Sequence, residues 1–406
     1  MLHRFRSLGP GLLVAAAFIG PGTVTTATLA GAHFGYALLW ALAFSIVATI
    51  VLQEMSARLG LVTREGLGEA LRATVTHPVA RVLVILLVVS AITLGNAAFQ
   101  TGNITGAAIG LEAISSVSRS VWALVVGASA FALLALGNYR WLERILMVLV
   151  GVMSVVFLTT AIVVRPSLSG IFWGTAVPTI PTGSLLTIIA LIGTTVVPYN
   201  LFLHASIVRE KWPQEIAVDQ ALKGSRLDTL ISISLGGLVT LAVVVTAAVF
   251  FERGSQIDSA AKMAEQLQPL LGPAAHYFFA MGLLAAGLTS AVTAPLAAAY
   301  ATAGALNWPR GLKTRRFQAV WAAIVIVGTV LAMFGREPVT VIIFAQAANG
   351  LLLPVIAIFL LIVVNRGELL GRHKNGIAAN LLGGSVVLVA TGLGVFQLLR
   401  VFGVLS

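Results

Sequence analysis

The chain has 406 residues, of which 58% are hydrophobic and 10% charged, and its formal net charge is +11. Its mean hydropathy of +1.00 lies well above that of water-soluble domains and excludes an ordinary soluble enzyme or regulatory protein. Because the chain has no cysteine, it has neither a disulfide framework nor a thiolate metal site.

Apolar runs of about 20 residues, the length of helix that crosses a bilayer, recur along the whole sequence. Barrel strands would give shorter alternating segments, so we predict an all-α integral membrane protein in direct contact with the lipid bilayer. The first run is too long for a cleavable signal peptide and is expected to remain as a span. The predicted spans are 10–31, 36–58, 81–111, 121–138, 145–164, 184–208, 229–251, 270–303, 317–334, 339–364 and 376–399.

The basic residues predict how these spans are oriented. With the N-terminus in the cytoplasm, most of the 25 lysine and arginine residues fall in cytoplasmic segments, as the positive-inside rule requires. An odd number of spans then places the C-terminus outside a cytoplasmic membrane. The positive charge is therefore explained by topology, and no nucleic-acid partner is expected.

Glycine and proline interrupt two of the predicted spans. The first span contains G-P-G-T at 20–23, and the sixth contains G-T-T-V-V-P-Y-N at 193–200. Inside a bilayer, non-helical backbone is tolerated only where it is buried in protein or lines a polar cavity. Paired breaks in corresponding spans of two five-helix halves are typical of inverted-repeat transporters, in which the substrate binds between the breaks. Simple kinks in packed helices are the alternative.

Six motifs extend this pattern over nearly the whole chain. They are G-P-G-L-L-V-A-A-A-F-I-G-P-G-T, A-G-A-H-F-G-Y-A-L-L-W, Y-R-W-L-E-R-I-L, V-P-Y-N-L-F-L-H-A-S, L-A-A-G-L-T-S-A-V-T and A-Q-A-A-N-G-L-L-L-P. In order and spacing they resemble the natural resistance-associated macrophage protein (NRAMP) family of proton-coupled divalent metal transporters. The resemblance implies one transmembrane domain over 1–406 with a LeuT-like fold. Its first inverted repeat would cover 10–164, its second 184–364, and an eleventh span 376–399.

The metal-binding motifs of that family are altered in this sequence. The family's Asp-Pro-Gly-Asn in the first span and Met-Pro-His-Asn in the sixth have lost both carboxylate and thioether. An Asp and a Glu that help conduct protons in the family's third span also match neutral amides. The residues at these positions are Gly20, Pro21, Gly22 and Thr23, then Val197, Pro198, Tyr199 and Asn200, and in the third span Gln100 and Asn103, while His204 and Gln346 match the family's remaining polar residues.

These replacements change the expected substrate. A bare divalent ion needs anionic or soft ligands to offset its lost hydration, and only Glu54 and Glu112 fall within or at the edge of a predicted span. We therefore expect a small anion, zwitterion or other small solute, moved by alternating access. Its polar contacts would be Thr23, Tyr199, Asn200 and Gln346, with backbone at the two breaks. No cofactor, enzymatic activity or bound metal is expected.

Two other functions are compatible with the sequence: a divalent cation transporter with a degenerate site, and a membrane sensor or scaffold that no longer transports. The coupling ion is also open. A proton would use His204, with Gln100 and Asn103 as further coupling candidates, whereas sodium would use the eighth-span hydroxyls. Structural hydrogen bonds are the alternative for each. The sodium candidates are Thr289, Ser290 and Thr293, and the sequence does not indicate an oligomeric state.

Overall fold

The computed structural model describes residues 20–75, 77–137, 140–213, 215–252, 255–308, 314–335 and 337–401. Within these ranges the regular structure is helical. The α-helices are α1 Pro21–Phe34, α2 Leu39–Thr63, α3 Leu67–Thr74, α4 Pro78–Glu112, α5 Arg119–Leu136, α6 Arg140–Val163, α7 Leu168–Ala176, α8 Leu185–Thr195, α9 Pro198–Lys211, α10 Val218–Phe250, α11 Ala260–Ala264, α12 Gln268–Leu271, α13 Ala275–Leu306, α14 Arg315–Phe334, α15 Pro338–Val364, α16 Gly367–Leu370 and α17 Ile377–Val401.

Ten segments in the described part of the chain are long and apolar enough to cross a membrane. They correspond to the second to eleventh predicted spans, α8 and α9 together forming the sixth. The predicted first span begins in residues 10–19, which lie outside the described residues, and continues as α1. The protein is therefore a multi-pass helical membrane protein.

Large apolar side chains are exposed on the outer surface of the bundle, as expected for a protein surrounded by lipid. Ile162 on α6 is 76% exposed, Leu388 on α17 is 74% exposed and Leu94 on α4 is 69% exposed. In water such surfaces would cause aggregation, whereas in a bilayer they contact acyl chains. By contrast, α1 is buried from Pro21 to Ala32 and lies inside the bundle.

The packing of the helices places α1, α8 and α9 at the centre. Helix α1 packs against α10, α8 packs against α15, and α9 packs against α2 and α13. Helix α4 makes an extensive contact with α13 and also packs against α15. The two breaks are consequently enclosed by α4, α13 and α15.

One predicted boundary was wrong by eleven residues. The seventh span was predicted to begin at 229, but α10 begins at Val218 and includes Asp219 and Asp228. The prediction that Glu54 and Glu112 are the only acidic residues in or at the edge of spans was therefore also wrong. Hydropathy missed this start because the first turns of α10 are polar and face the end of the bundle. The expected short surface helices do occur in two other connections, as α3 and α7.

Candidate functional site

The first break is the start of α1. Gly20 is extended, with φ −103° and ψ 178°, and Pro21 opens the helix. Proline is favoured at this position because its fixed φ suits a helix and it has no N–H to leave unpaired. The N–H groups of Gly22 and Thr23 have no acceptor within α1, so the helix presents donors and the positive end of its dipole here.

The second break separates α8 from α9. Helix α8 ends at Thr195, Val196 and Val197 are non-helical, and Pro198 opens α9. The last carbonyl groups of α8 form the negative end of its dipole. This confirms the break that Pro198 predicts in the sixth span.

A hydrogen bond joins the two breaks directly. The hydroxyl groups of Thr23 and Thr194 lie 2.8 Å apart and are buried. Thr23 is in the first turn of α1, and Thr194 is in the last turn of α8. The positive end of one short helix therefore meets the negative end of the other.

Gln346 on α15 closes one side of the first break. A Cβ atom at Gly22 would lie only 2.1 Å from Nε2 of Gln346, so any larger residue there would displace the carboxamide. Neither Nε2 nor Oε1 of Gln346 has a hydrogen-bond partner among the described residues, although the side chain is fully buried. The carboxamide is thus free to bind a ligand beside α1.

Asn103 and Ser290 lie beside Gly20 at the first break. A Cβ atom at Gly20 would be 3.0 Å from Oγ of Ser290 and 3.6 Å from Oδ1 of Asn103. Asn103 is fully buried, and both polar atoms of its carboxamide lack a partner in the described part of the chain. The position that bears an aspartate in the resembled motif is therefore surrounded here by neutral hydrogen-bonding groups.

Tyr199 and Asn200 follow the second break and are each 1% exposed. The Tyr199 ring makes an edge contact with Phe99, with 5.4 Å between centroids. Its hydroxyl and Oδ1 of Asn200 have no partner within the described ranges. Val197 contributes an aliphatic side chain in the place of the resembled family's thioether.

Comparison with known proteins identifies the family. The model of the natural resistance-associated macrophage protein-like family, Nramp, matches residues 11–400. The chain belongs to the Nramp family. One relative, the divalent metal cation transporter MntH of Acidiphilium cryptum, is 30% identical over 98% of this chain and 90% of its own length. MntH of Bradyrhizobium diazoefficiens is 33% identical over 90% and 82%.

Solved structures show which fold the chain has. The Eremococcus coleocola manganese transporter, in complex with an aromatic bis-isothiourea compound, superposes with a TM-score of 0.80 at 24% identity, covering 96% of this chain and 85% of that one. MhsT, in complex with L-phenylalanine, gives a TM-score of 0.62 at 15% identity, covering 96% of this chain and 97% of that one. This Nramp-family chain therefore has the LeuT-like fold; the limits of its two repeats stay a prediction.

The coupling candidates of this Nramp-family member do not all reach the breaks. Nδ1 of His204 lies 2.7 Å from Oε1 of Gln53, and Nε2 of Gln100 donates to the Ala291 carbonyl at 3.0 Å. The hydroxyl groups of Thr289 and Thr293 donate to carbonyls of their own helix. Among the sodium candidates, Ser290 is the one that the structure places beside Gly20.

Three polar residues near the breaks were not singled out from the sequence. They are Thr194, which bonds Thr23, and the amides Asn96 and Asn349, which face Tyr199 across a small cavity. Helical spacing could have found the amides. Asn96, Gln100 and Asn103 share one face of α4, as Gln346 and Asn349 share one face of α15.

Charged side chains of this Nramp-family protein cluster at the predicted cytoplasmic end. Asp228, 3% exposed, forms an ion pair with Lys211 at 3.6 Å, and burial lowers the pKa of Lys211 while Asp228 partly opposes that shift. Arg58 donates to Glu54 and Asn375. In the described part of the chain, no three histidine or acidic side chains group as a metal site would require.

A vestibule opens at the opposite, predicted outer end. Its volume is about 920 Å³, and its lining includes Leu29 on α1, Leu186 on α8 and Ile343 on α15. Ile343 and Gln346 are three residues apart and therefore lie on the same face of α15. The lining of the vestibule thus comes within one turn of α15 of Gln346, on the predicted outer side of the breaks.

Proposed function

We propose that this Nramp-family transporter moves a small anion or zwitterion by alternating access. The observation that carries the proposal is the pair of unpartnered, neutral carboxamides beside the first turn of α1. They belong to Asn103 and Gln346, whose polar side-chain atoms have no hydrogen-bond partner among the described residues. Backbone N–H groups at a helix N-terminus add donors and a favourable field for negative charge.

A zwitterion would use both helix ends that meet at the break. Its carboxylate suits the N–H groups of Gly22 and Thr23, whereas its ammonium group suits the terminal carbonyls of α8. The Thr23–Thr194 hydrogen bond holds these two ends together. No charged side chain is needed for such recognition, and this agrees with glycine at position 20.

A divalent metal ion is the competing substrate, because the relatives named above are described as divalent metal cation transporters. Manganese and iron ions are bound in proteins by carboxylate, imidazole or soft sulfur ligands. Gly20, Thr23, Val197 and Tyr199 supply none of these at the breaks. Backbone carbonyls and the amides of Asn200 and Gln346 leave the charge of a bare ion uncompensated.

Transport of the solute would be coupled to a proton or a sodium ion. His204 is fully buried and its Nε2 atom has no partner among the described residues, which suits a group that exchanges a proton. Sodium would instead use the Ser290 hydroxyl with backbone oxygen atoms near Gly20. Uptake driven by a pH gradient alone would indicate proton coupling, and uptake driven by a sodium gradient alone would indicate sodium coupling.

Calorimetric titration of the purified protein with manganese, beside a Gly20→Asp variant, tests the choice of substrate. The variant adds a carboxylate next to the first break, and the hydroxyl of Ser290 can rotate to make room for it. We expect no saturable binding by the native protein and binding in the high micromolar range or tighter by the variant. A Gly376→Asp variant, with its carboxylate at an exposed position outside the helices, is the matched control and is expected to behave like the native protein.

Saturable micromolar binding of manganese by the native protein would overturn the proposal and restore a metal substrate. A second experiment looks for the proposed substrate directly. It measures counterflow uptake of radiolabelled L-amino acids and small carboxylates into proteoliposomes. Substrates of this class should accumulate with native protein and not with protein-free liposomes. Absence of uptake under both a proton and a sodium gradient would instead favour a sensor or scaffold.

A further inference from the structure

A small cavity lies beside Tyr199, separate from the vestibule. It is bounded by α4, α9 and α15, and its polar lining consists of Asn96, Tyr199 and Asn349. The space available to the centre of a water molecule is about 10 Å³. That is about what a single water molecule requires.

Each polar residue in this lining presents an atom without a partner. The atoms are Oδ1 of Asn96, the hydroxyl of Tyr199 and Nδ2 of Asn349, none of which has a hydrogen-bond partner among the described residues. All three side chains are at most 2% exposed. An unpaired buried polar group costs about 1–3 kcal/mol, so three around one cavity indicate a bound group that the protein atoms alone do not supply.

The donor pattern identifies the chemistry of that group. Nδ2 of Asn96 already donates to the Ile92 carbonyl at 2.9 Å, which leaves Oδ1 of Asn96 as an acceptor. Nδ2 of Asn349 is a donor, and the Tyr199 hydroxyl can act either way. A metal cation would need about six oxygen ligands and an anion would need donors alone. A water molecule donates and accepts, and it satisfies all three groups.

The cavity lies on the predicted cytoplasmic side of the breaks. Along one face of α15, Ile343 lines the vestibule, Gln346 faces the first break and Asn349 lines the cavity. Tyr199 is the second residue of α9, which begins directly after the non-helical Val196 and Val197. A rotation of α9 about this break, away from α4 and α15, would separate the Tyr199 hydroxyl from Asn96 and Asn349.

We propose that the cavity binds one water molecule, which links α4, α9 and α15 and holds the cytoplasmic side of the breaks closed. This water latch consists of Asn96, Tyr199, Asn349 and the water. The three side chains must separate from the water before α9 can move towards the cytoplasm. The inference holds for either substrate discussed above, because none of the three side chains needs to contact the solute for the latch to form.

The test uses the absence of cysteine in the chain. Ile356 lines the cavity and is 1% exposed, so an Ile356→Cys variant reports opening through its rate of modification by a small thiol reagent. Adding Tyr199→Phe removes one hydroxyl and retains the ring contact with Phe99. We expect the rate to rise about fivefold and the melting temperature to fall, as loss of one satisfied hydrogen bond predicts. Lys374→Cys, at an exposed site, is the control and should react equally fast in both backgrounds.

An empty cavity predicts the opposite results. Removing a hydroxyl that has no partner would leave the melting temperature unchanged or raise it, and the modification rate at Ile356→Cys would not increase; either result overturns the latch. The Asn349→Leu and Tyr199→Phe changes give an independent check in a double-mutant cycle. A shared bound water predicts coupling between them, and additive effects contradict it. A cryo-EM map with ordered density within hydrogen-bond distance of all three atoms would support the same conclusion.

Discussion

At the residue scale, the contact between Pro21 and Gly106 sets how closely α1 approaches α4. A Cβ atom at Gly106 would lie 2.1 Å from Cβ of Pro21, and a proline ring at the start of a helix cannot move aside. Gly106→Ala should therefore destabilise the protein by about 1–3 kcal/mol and weaken transport, because α1 is displaced. Thermal unfolding in detergent and uptake in proteoliposomes measure the two effects.

Gly151→Ala is the matched control for this substitution. Gly151 lies within α6, and its added Cβ would meet no atom within 4 Å. The change should be neutral or stabilising by up to about 1 kcal/mol, since alanine favours a helix. Equal melting temperatures for the two alanine variants would contradict the role of the Gly106 contact.

The residues of the candidate site were largely predictable because their types are unusual within a span. Gly20, Thr23, Tyr199 and Gln346 stand out in apolar surroundings, and the structure brings them to the two breaks. Their roles stay predictions. The partners that complete the site depend on how the helices pack against one another. Sequence spacing alone does not give this packing. Thr194 was missed for this reason, since nothing near it indicates a contact with Thr23 171 residues away.

At the element scale, the hydrogen bond between Thr23 and Thr194 couples α1 to α8. Valine at either position has a similar shape but cannot form this bond, so Thr23→Val and Thr194→Val should each lower stability by about 1 kcal/mol. Because the two hydroxyl groups bond each other at 2.8 Å, the double variant should lose less than the sum of the single variants. Chemical or thermal unfolding of all four proteins gives the coupling energy.

Thr195 provides the control for that cycle. Its hydroxyl donates to the Leu191 carbonyl within α8 and does not cross to α1. Thr195→Val combined with Thr23→Val should therefore be additive. Coupling of similar size in both pairs would mean that the valine substitutions disturb α8 as a whole.

The spans were predicted well because hydropathy and length alone determine them. The breaks were predictable because proline and glycine lower helical stability where they occur in the sequence. The start of α10 was not predicted, because Asp219, Lys223 and Asp228 make its first turns polar. Ion pairs with other elements, such as Asp228 with Lys211 and Asp219 with Arg372, stabilise these charges. Such pairs form only in the folded bundle and leave no signal in a hydropathy profile.

At the scale of the whole molecule, the distribution of basic residues predicts which end of the bundle faces the cytoplasm. Arg58, Arg226 and Arg372 form ion pairs at one end, whereas the vestibule opens at the other. The positive-inside rule predicts that the first end faces the cytoplasm. On that prediction the vestibule opens to the outside, and solute would enter the bundle from there.

Single cysteines test this orientation without a background signal, because the chain has no native cysteine. Thr182 lies between α7 and α8, Lys374 lies between α16 and α17, and both are exposed. In intact cells a membrane-impermeant thiol reagent should label Thr182→Cys and should not label Lys374→Cys, which should react only after permeabilisation. The reversed pattern would place the vestibule in the cytoplasm. In that case solute would enter the vestibule from the cytoplasm, and the protein would be an exporter.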